Sequence, residues 1–441
     1  MNTPFSRSLL ATSTLLISSA SLAAGFQVNE HSATGLGRAF AGEAVIADNA
    51  SVLSRNAAAM MMFDKDAFSM GMTVVKPDVT VKNGTYYRPS GSLSVDKGMS
   101  YIPGSAALTS EAVALDDVDG IAPTAVVPNF YYIHPINEKF AVGVAAYSNF
   151  GTGTEFESDY AAPIFGGTTK VQSMNLGLSL AYRVNEHLSF GGGIDVIYGM
   201  GDLYRDVDGS VNVKMETIVG DVNLINQGIK TTAVDIQATG VGLGANIGMV
   251  YEVNDGNRFG FSYKYSPEIE ATGDVSFMKQ SYDAVYLPLP DIAEFSGFHM
   301  ITDKTAIHYS IQWVGWSAFD SIETESATVK EYNWKNSYHY AIGATHYLNH
   351  KWTLRTGYMY DETPVDELTS ISIPDSNRQW FSAGFTYNWS SNTALDFGVT
   401  YLLGEDVEVH EFVDESLPAP SIMATTHSDA VLAAIQLSHT F

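Results

Sequence analysis

Cysteine is absent from all 441 residues, so neither a disulfide framework nor a thiolate metal site is available. Basic residues are scarce: 23 Lys and Arg stand against 49 Asp and Glu, a formal net charge of -26. Binding a polyphosphate needs a basic face, so nucleic acid is excluded as a partner. The acidic surplus fits an exported protein whose outer loops meet water and divalent ions, or serves solubility alone. Long apolar runs are also missing. Past the first residues no window holds ~18 consecutive apolar positions, which excludes helical membrane spans. Yet 45% of the residues are hydrophobic and only 16% are charged. That apolar content must be distributed in another way. With 24 Tyr, 22 Phe and 38 Gly, the composition favours strands edged by aromatic rings over helices.

The first residues stand apart from the fold. Arg7 supplies a positive start, Leu9 to Leu22 is an apolar and small-residue stretch, and Ser21-Leu22-Ala23 fits a small-x-small cleavage site. Residues 1–23 therefore read as a signal peptide cleaved after Ala23, with Ala24 as the alternative and a retained anchor as the rival reading.

Beyond them, apolar residues recur with a period of two. Leu176, Leu178, Leu180, Tyr182 and Val184 alternate with small or polar neighbours. Val241 to Val253 carries a seven-position apolar face, and Phe259/Phe261/Tyr263/Tyr265, Ile307/Tyr309/Ile311/Trp313, Phe381 to Trp389 and Leu395 to Tyr401 repeat the pattern. A soluble sandwich alternates as well, with its apolar face inward. Two features favour a transmembrane antiparallel β-barrel. Aromatic residues gather at strand ends (Tyr387 and Trp389, Tyr358 and Tyr360), where rings belong at the headgroup level. Short turns such as Asn254 to Asn257 also alternate with long acidic stretches such as Asp116 to Gly120. The chain then ends on Val431, Ala433, Ile435, Leu437, His439 and Phe441, the alternation of a closing strand with a terminal Phe. Closure is what lipid requires, because an open edge leaves backbone groups unsatisfied.

Residues 24–65 lack this alternation. Gly35 to Gly42 and Asn49 to Met62 are rich in Ala, Gly and Met and read as short helices and turns. They form a separate N-terminal element that folds back to plug the lumen, leaving residues 66–441 as the barrel; a disordered tail is the alternative, against which the apolar content argues.

Several segments, taken in order, resemble the FadL family of outer-membrane long-chain fatty-acid transporters over essentially the whole mature chain. They are Gly25 to Glu30, Gly35 to Ala39 with Ile46-Ala47-Asp48, Ile121 to Thr124 with Val127-Pro128-Asn129, Ser148 to Gly151 with Thr154-Glu155-Phe156, Gly166 to Thr169 before Met174, and Ser370 to Asp375 running into Arg378 and Trp380. The resemblance implies a monomeric barrel of about 14 strands with an N-terminal hatch inside, in a bacterial outer membrane among its lipid and lipopolysaccharide. It implies uptake of long-chain fatty acids or other hydrophobic small molecules, without a cofactor, and lateral exit where a kink breaks the third strand. That kink falls on Phe150, Gly151, Thr152 and Gly153. Glycine in a strand marks a bulge or bend in its own right, and broken pairing opens a closed wall. The family's hatch carries Asn-Pro-Ala near the kink; here Asn56, Ala57 and Ala58 occupy the gate positions and the rigid φ of proline is gone. The ligand's carboxylate is assigned by local alignment to Arg205 and Lys330, with solvated loop charges as the alternative, and Phe26 to contact with the pocket.

Rival functions leave weaker marks. His308 and Ser310 share one strand face, but no acid partner sits at a fixed spacing. Gly35 and Gly37 are followed by Phe40 where a dinucleotide loop needs its third glycine. A general porin keeps an open channel that residues 24–65 obstruct, and a TonB-driven barrel of ~22 strands is too large for this chain. Within the family, uptake of aromatic hydrocarbons is the alternative to fatty acids, and the two cationic positions favour the carboxylate.

Overall fold

The structure, a computed structural model, describes residues 25–95, 103–217, 220–414 and 420–441. The signal segment expected over residues 1–23 lies outside the described residues.

The period-two segments become a closed antiparallel barrel of 14 strands. The first six are β1 (Ala67–Val95), β2 (Ala125–Asn137), β3 in two pieces (Phe140–Tyr147 and Gly151–Glu155), β4 (Thr168–Arg183), β5 (Leu188–Thr217) and β6 (Gly220–Asn254). Four interrupted strands follow: β7 (Asn257–Tyr265, Glu268–Phe277), β8 (Gln280–Pro288, Ile292–Thr302), β9 (Thr305–Val314, Ser321–Thr324) and β10 (Thr328–Glu331, Ser337–Tyr347). The last four are β11 (Trp352–Asp361), β12 (Arg378–Asn388), β13 (Thr393–Leu403) and β14 (Ser421–Thr440). The terminal alternation closes the ring: β14 pairs with β1 from Ala67↔Thr440 to Tyr87↔Ser421.

The apolar faces point out. Leu176, Leu178 and Leu180 are 60%, 56% and 50% exposed, and Val241, Leu243 and Ile247 are more than half exposed, while their polar neighbours Asn175, Ser179 and Asn246 turn inward. A soluble sandwich has the reverse polarity. An uninterrupted belt of exposed aliphatic side chains is stable only where hydrocarbon covers it.

At one end the strands are joined by tight turns, as at Asn254/Asn257 and Thr302/Thr305. At the other end they run on well past the belt, and β1 and β5 meet there in a short parallel pairing from Ser90↔Ser210 to Val95↔Met215.

Residues 25–62 lie against the inward faces. They contain short helical turns at Ala33–Leu36, Ala50–Ser54 and Ala57–Met62, capped by the side chains of Ser32, Asn49 and Asn56. Nearly all of these residues are buried. The wall makes room with cross-strand glycine pairs. Gly191 faces Gly248, Gly343 faces Gly357 and Gly384 faces Gly398. A Cβ on Gly191 would stand 2.4 Å from the Ala58 nitrogen, one on Gly357 2.1 Å from the Arg38 oxygen, and one on Gly398 2.5 Å from the Ala33 oxygen. Each pair is a flat seat for backbone, which no other residue type supplies.

Candidate functional site

An outward cavity of about 540 Å³ opens above the apolar belt. Ile164, Phe165, Leu203, Val234, Phe277 and Val329 supply its apolar lining. Two cations face it, Arg205 from β5 and Lys330 from β10, so the fold brings together residues far apart in sequence that were expected to act together.

Their surroundings differ. The Arg205 guanidinium donates to the Thr168 and Tyr204 carbonyls at 2.6 and 2.7 Å and to Thr169 Oγ1 at 2.6 Å. All three acceptors are neutral, and no carboxylate among the described residues lies within ion-pair distance of it. Its charge is held in place but not cancelled. Lys330 Nζ instead meets Glu411 at 2.5 Å and Ser370 Oγ at 2.9 Å. An anion entering the cavity therefore meets one available cation and one already paired.

Beneath the cavity lies a narrow apolar cleft of about 40 Å³ walled by Val171, Ile236, Ile269, Val285, Leu287 and Tyr332. Leu203 and Tyr332 line both spaces.

Phe26 lines neither space and sits one layer deeper. Its ring is enclosed edge-on by Trp316 (4.6 Å), Phe319 (4.9 Å) and Phe150 (6.0 Å), with Trp334 at 5.7 Å. Phe319 in turn packs on Tyr332 at 4.7 Å, so an unbroken string of rings runs from cavity to kink. Gly25 tolerates no side chain here: its φ is +67° and a Cβ would stand 2.6 Å from Trp316.

The third strand is interrupted beside the residues expected to kink, Phe150, Gly151, Thr152 and Gly153. The β2–β3 ladder ends at Phe130↔Ala146, the break falls on Ser148 to Phe150, and Gly151–Glu155 resumes as strand. That second piece pairs with β4 and not with β2. Contact with the β2 side is restored only above, where the Glu155 amide donates to Ile121 O at 2.7 Å. Between these points the wall lacks its ladder.

The N-terminal segment supplies the missing partners from inside. Gln27 bridges Phe150; the Val28 amide donates to Asn149 O at 2.7 Å and the Gly151 amide to Phe26 O at 2.8 Å. Thr152 and the glycines beside it are buried in the resumed strand.

Ala57 and Ala58, in the helical turn that Asn56 caps, belong to a different cluster, with Ala141, Ala145 and Tyr147 below the break. The Asn56 side chain accepts from the Ala58 amide at 3.0 Å and donates to Ala44 O at 2.7 Å and Met249 O at 3.0 Å. Even without the proline, the asparagine starts the helical turn and ties it to the wall.

Sequence reasoning missed the luminal ion pairs. Arg38 meets Glu43 at 2.6 Å and Asp48 at 2.9 Å, and Asp48 continues to Arg355 at 2.8 Å. Arg55 reaches Asn29 O at 3.0 Å and Glu294 at 3.5 Å. Their signal was available: each wall member is a charge on the small, polar face of an alternating strand, where a lumen needs it. His308 and Ser310 share that face without bonding each other; His308 Nε2 meets Thr345 and Ser310 Oγ meets Glu294.

Comparison with known proteins agrees with this architecture. The family model described as outer membrane protein transport protein (OMPP1/FadL/TodX) matches residues 14–441. The long-chain fatty acid transport protein of Escherichia coli K12 is 36% identical, over 93% of this chain and 94% of that one. Outer membrane protein P1 of Haemophilus influenzae Rd is 34% identical over 99% of both. Among solved structures, a Pseudomonas aeruginosa FadL homologue superposes with a TM-score of 0.77 at 19% identity, covering 95% of this chain and all of that one. The Pseudomonas putida toluene transporter TodX gives 0.65 at 16% identity, over 93% and 98%. These last two establish likeness of fold.

Proposed function

Because the chain belongs to the OMPP1/FadL/TodX family of outer membrane transport proteins, we propose that it takes up long-chain fatty acids passively and releases them sideways through its own wall. Family and relatives are transporters and channels of the outer membrane, not enzymes. The observation that carries the ligand class is Arg205: a buried guanidinium with only neutral acceptors, in a cavity that shares Leu203 and Tyr332 with the apolar cleft. A carboxylate leaving water needs such a partner, and an acyl chain needs the cleft.

The route follows the ring string. The chain of a ligand held at Arg205 enters the cleft past Tyr332 and presses on Phe319 and Phe26. Residues 25–62 act as a plug, of which Gly25 to His31 is the movable lip. Withdrawing that lip breaks two backbone hydrogen bonds at Asn149 and Gly151 and clears the gap between β2 and β3. The ligand then passes into the surrounding lipid and lipopolysaccharide leaflet, whose hydrocarbon the exposed belt already meets. Wall, lumen and plug come from one chain, so a monomer suffices.

Titration of Arg205→Ala in lipid nanodiscs with oleate tests the reading. Loss of one charge-assisted hydrogen-bond set worth about 1.5–3 kcal/mol weakens binding ten- to a hundredfold. Unchanged affinity sinks the carboxylate assignment and favours the second reading, uptake of uncharged aromatic hydrocarbons. The apolar lining of the lower cleft accommodates such ligands equally well.

A further inference from the structure

Lys264 is a buried cation that the route above does not use. It lies on the inward face of β7, between outward Tyr263 and Tyr265, with 8% of its surface exposed. Among the described residues its Nζ has two hydrogen-bond partners, both neutral and both at 3.4 Å: the Tyr147 hydroxyl and Asn149 Oδ1. The ammonium also stands 4.7 Å from the Tyr147 ring centre. Tyr147 ends the first piece of β3 and Asn149 lies within the break, so the cation faces the wall opening directly.

The neighbouring acids are committed elsewhere. Asp195 accepts from Tyr147 and Asn246 at 3.1 and 2.9 Å. Glu294 is shared by Arg55, Ser296, Ser310 and Gln312. No carboxylate among the described residues reaches Lys264 within ion-pair distance, and Arg55 adds a second positive charge nearby. A desolvated ammonium in this position is destabilising unless an anion joins it. Two long contacts to neutral oxygens and one ring face offset that only in part.

We propose that Lys264 is a second docking point for the carboxylate of a long-chain monocarboxylic acid, at the exit rather than the entrance. This rests on the fatty-acid reading above. Arg205 is paired with Val234 on β6 and Lys264 with Asn246 on the same strand, twelve residues on (246 − 234). At about 3.3 Å per residue that is roughly 40 Å along the strand, so the two cations cannot hold one carboxylate together. The rings of Tyr332, Phe319, Phe26 and Phe150 fill the interval. The head group leaves Arg205, crosses a stretch without a free cation, and is received by Lys264 beside the gap while the tail enters lipid. His31 (its ring 5.1 Å from that of Tyr147) and the Val28–Asn149 bond cover the site until the lip withdraws.

The test uses the full-length protein, with Lys264→Met, Lys264→Arg and Arg205→Ala variants and two probes of equal chain length, oleate and oleyl alcohol. In Lys264→Met, uptake of oleate relative to oleyl alcohol falls at least tenfold, and Lys264→Arg restores it. A palmitate bearing a diazirine beside its carboxyl labels peptides spanning residues 147–153 or 262–266 in the parent and in Lys264→Arg, and not in Lys264→Met. Parent-like oleate selectivity and labelling in Lys264→Met overturn the proposal. If Arg205→Ala still loses oleate binding in that case, the uptake function stands without the exit site. If the parent itself neither binds nor takes up oleate, both fall.

Discussion

The two parts of the N-terminal segment are equally buried and held by opposite means. From Ala33 to Met62 the anchors are ion pairs, helix caps and glycine seats: Arg38 with Glu43 and Asp48, Asn56 with three wall or segment carbonyls, backbone pressed on Gly191 and Gly357. From Gly25 to His31 they are a ring among rings, two backbone bonds to a strand already broken, and separate hydrogen bonds: Gln27 Nε2 on Gln312 at 2.8 Å, Arg55 on Asn29 O at 3.0 Å, the Tyr131 hydroxyl on His31 O at 3.0 Å and the His31 ring on Ser148 O at 2.8 Å. Ion pairs without water are costly to break because each partner is left bare. Ring packing is non-directional, and an apolar ligand can replace it nearly in kind. On the proposed route, the difference places the fixed part and the part that withdraws only a few residues apart in one buried segment.

This contrast can be broken experimentally. Arg38→Ala leaves Glu43 buried without its partner, at a cost of about 3–5 kcal/mol. We expect a lower unfolding midpoint in nanodiscs and faster amide exchange throughout residues 33–62. Phe26→Ala removes about 3 kcal/mol of packing, and the effect stays local. Amides of residues 26–28 exchange faster while residues 38–62 keep the parent rate; loosening of both together would falsify the division. Gly191→Ala pushes a Cβ against Ala57 and Ala58 for about 1–3 kcal/mol of overpacking. Planar-bilayer recordings of the parent show no large steady current, whereas this variant shows brief openings as the lower seat loosens. The smallest effect concerns pH. Burial pushes the Glu30 carboxyl from 4.5 up to about 7, with the Arg55 charge working against the rise. A raised acid is docked at full strength below pH 4.5 and loses that contribution as pH rises through 7. Protection of the amides of residues 26–28, referred to the intrinsic base-catalysed exchange rate, should fall a few-fold between pH 5 and pH 8, and pH-independent protection excludes Glu30 as a contributor.

Much of the barrel was legible because a membrane leaves few alternatives. Period two with aliphatic and aromatic residues on one face, and the closing run from Val431 to Phe441, already named the wall. What alternation alone left open was which face points outward, and Leu178 beside Ser179 settles that only in three dimensions. Arg205 and Lys330 came from resemblance, and their unequal pairing depends on Glu411, in a strand piece no local motif connects to either. The glycine seats were hidden for a different reason. Gly191 and Gly248 are ordinary until the β5–β6 register sets them opposite each other, and register over strands of this length is not written locally. Glycines 151 and 153 suggest a bend in the sequence; the interruption covers Ser148 to Phe150, and the two glycines lie in the piece that pairs with β4.

The gap in the wall has a lintel. Below it β2 and β3 are laddered through Phe130↔Ala146, and above it the Glu155–Ile121 bond ties the same two sides together. The opening is thus a window in a hooped cask and not a seam that runs to the rim. On the proposed exit route, widening it leaves the hoops intact, so passage need not threaten the integrity of the shell, and a window of fixed height admits slender cargo lying along the sill more readily than bulky cargo of the same mass.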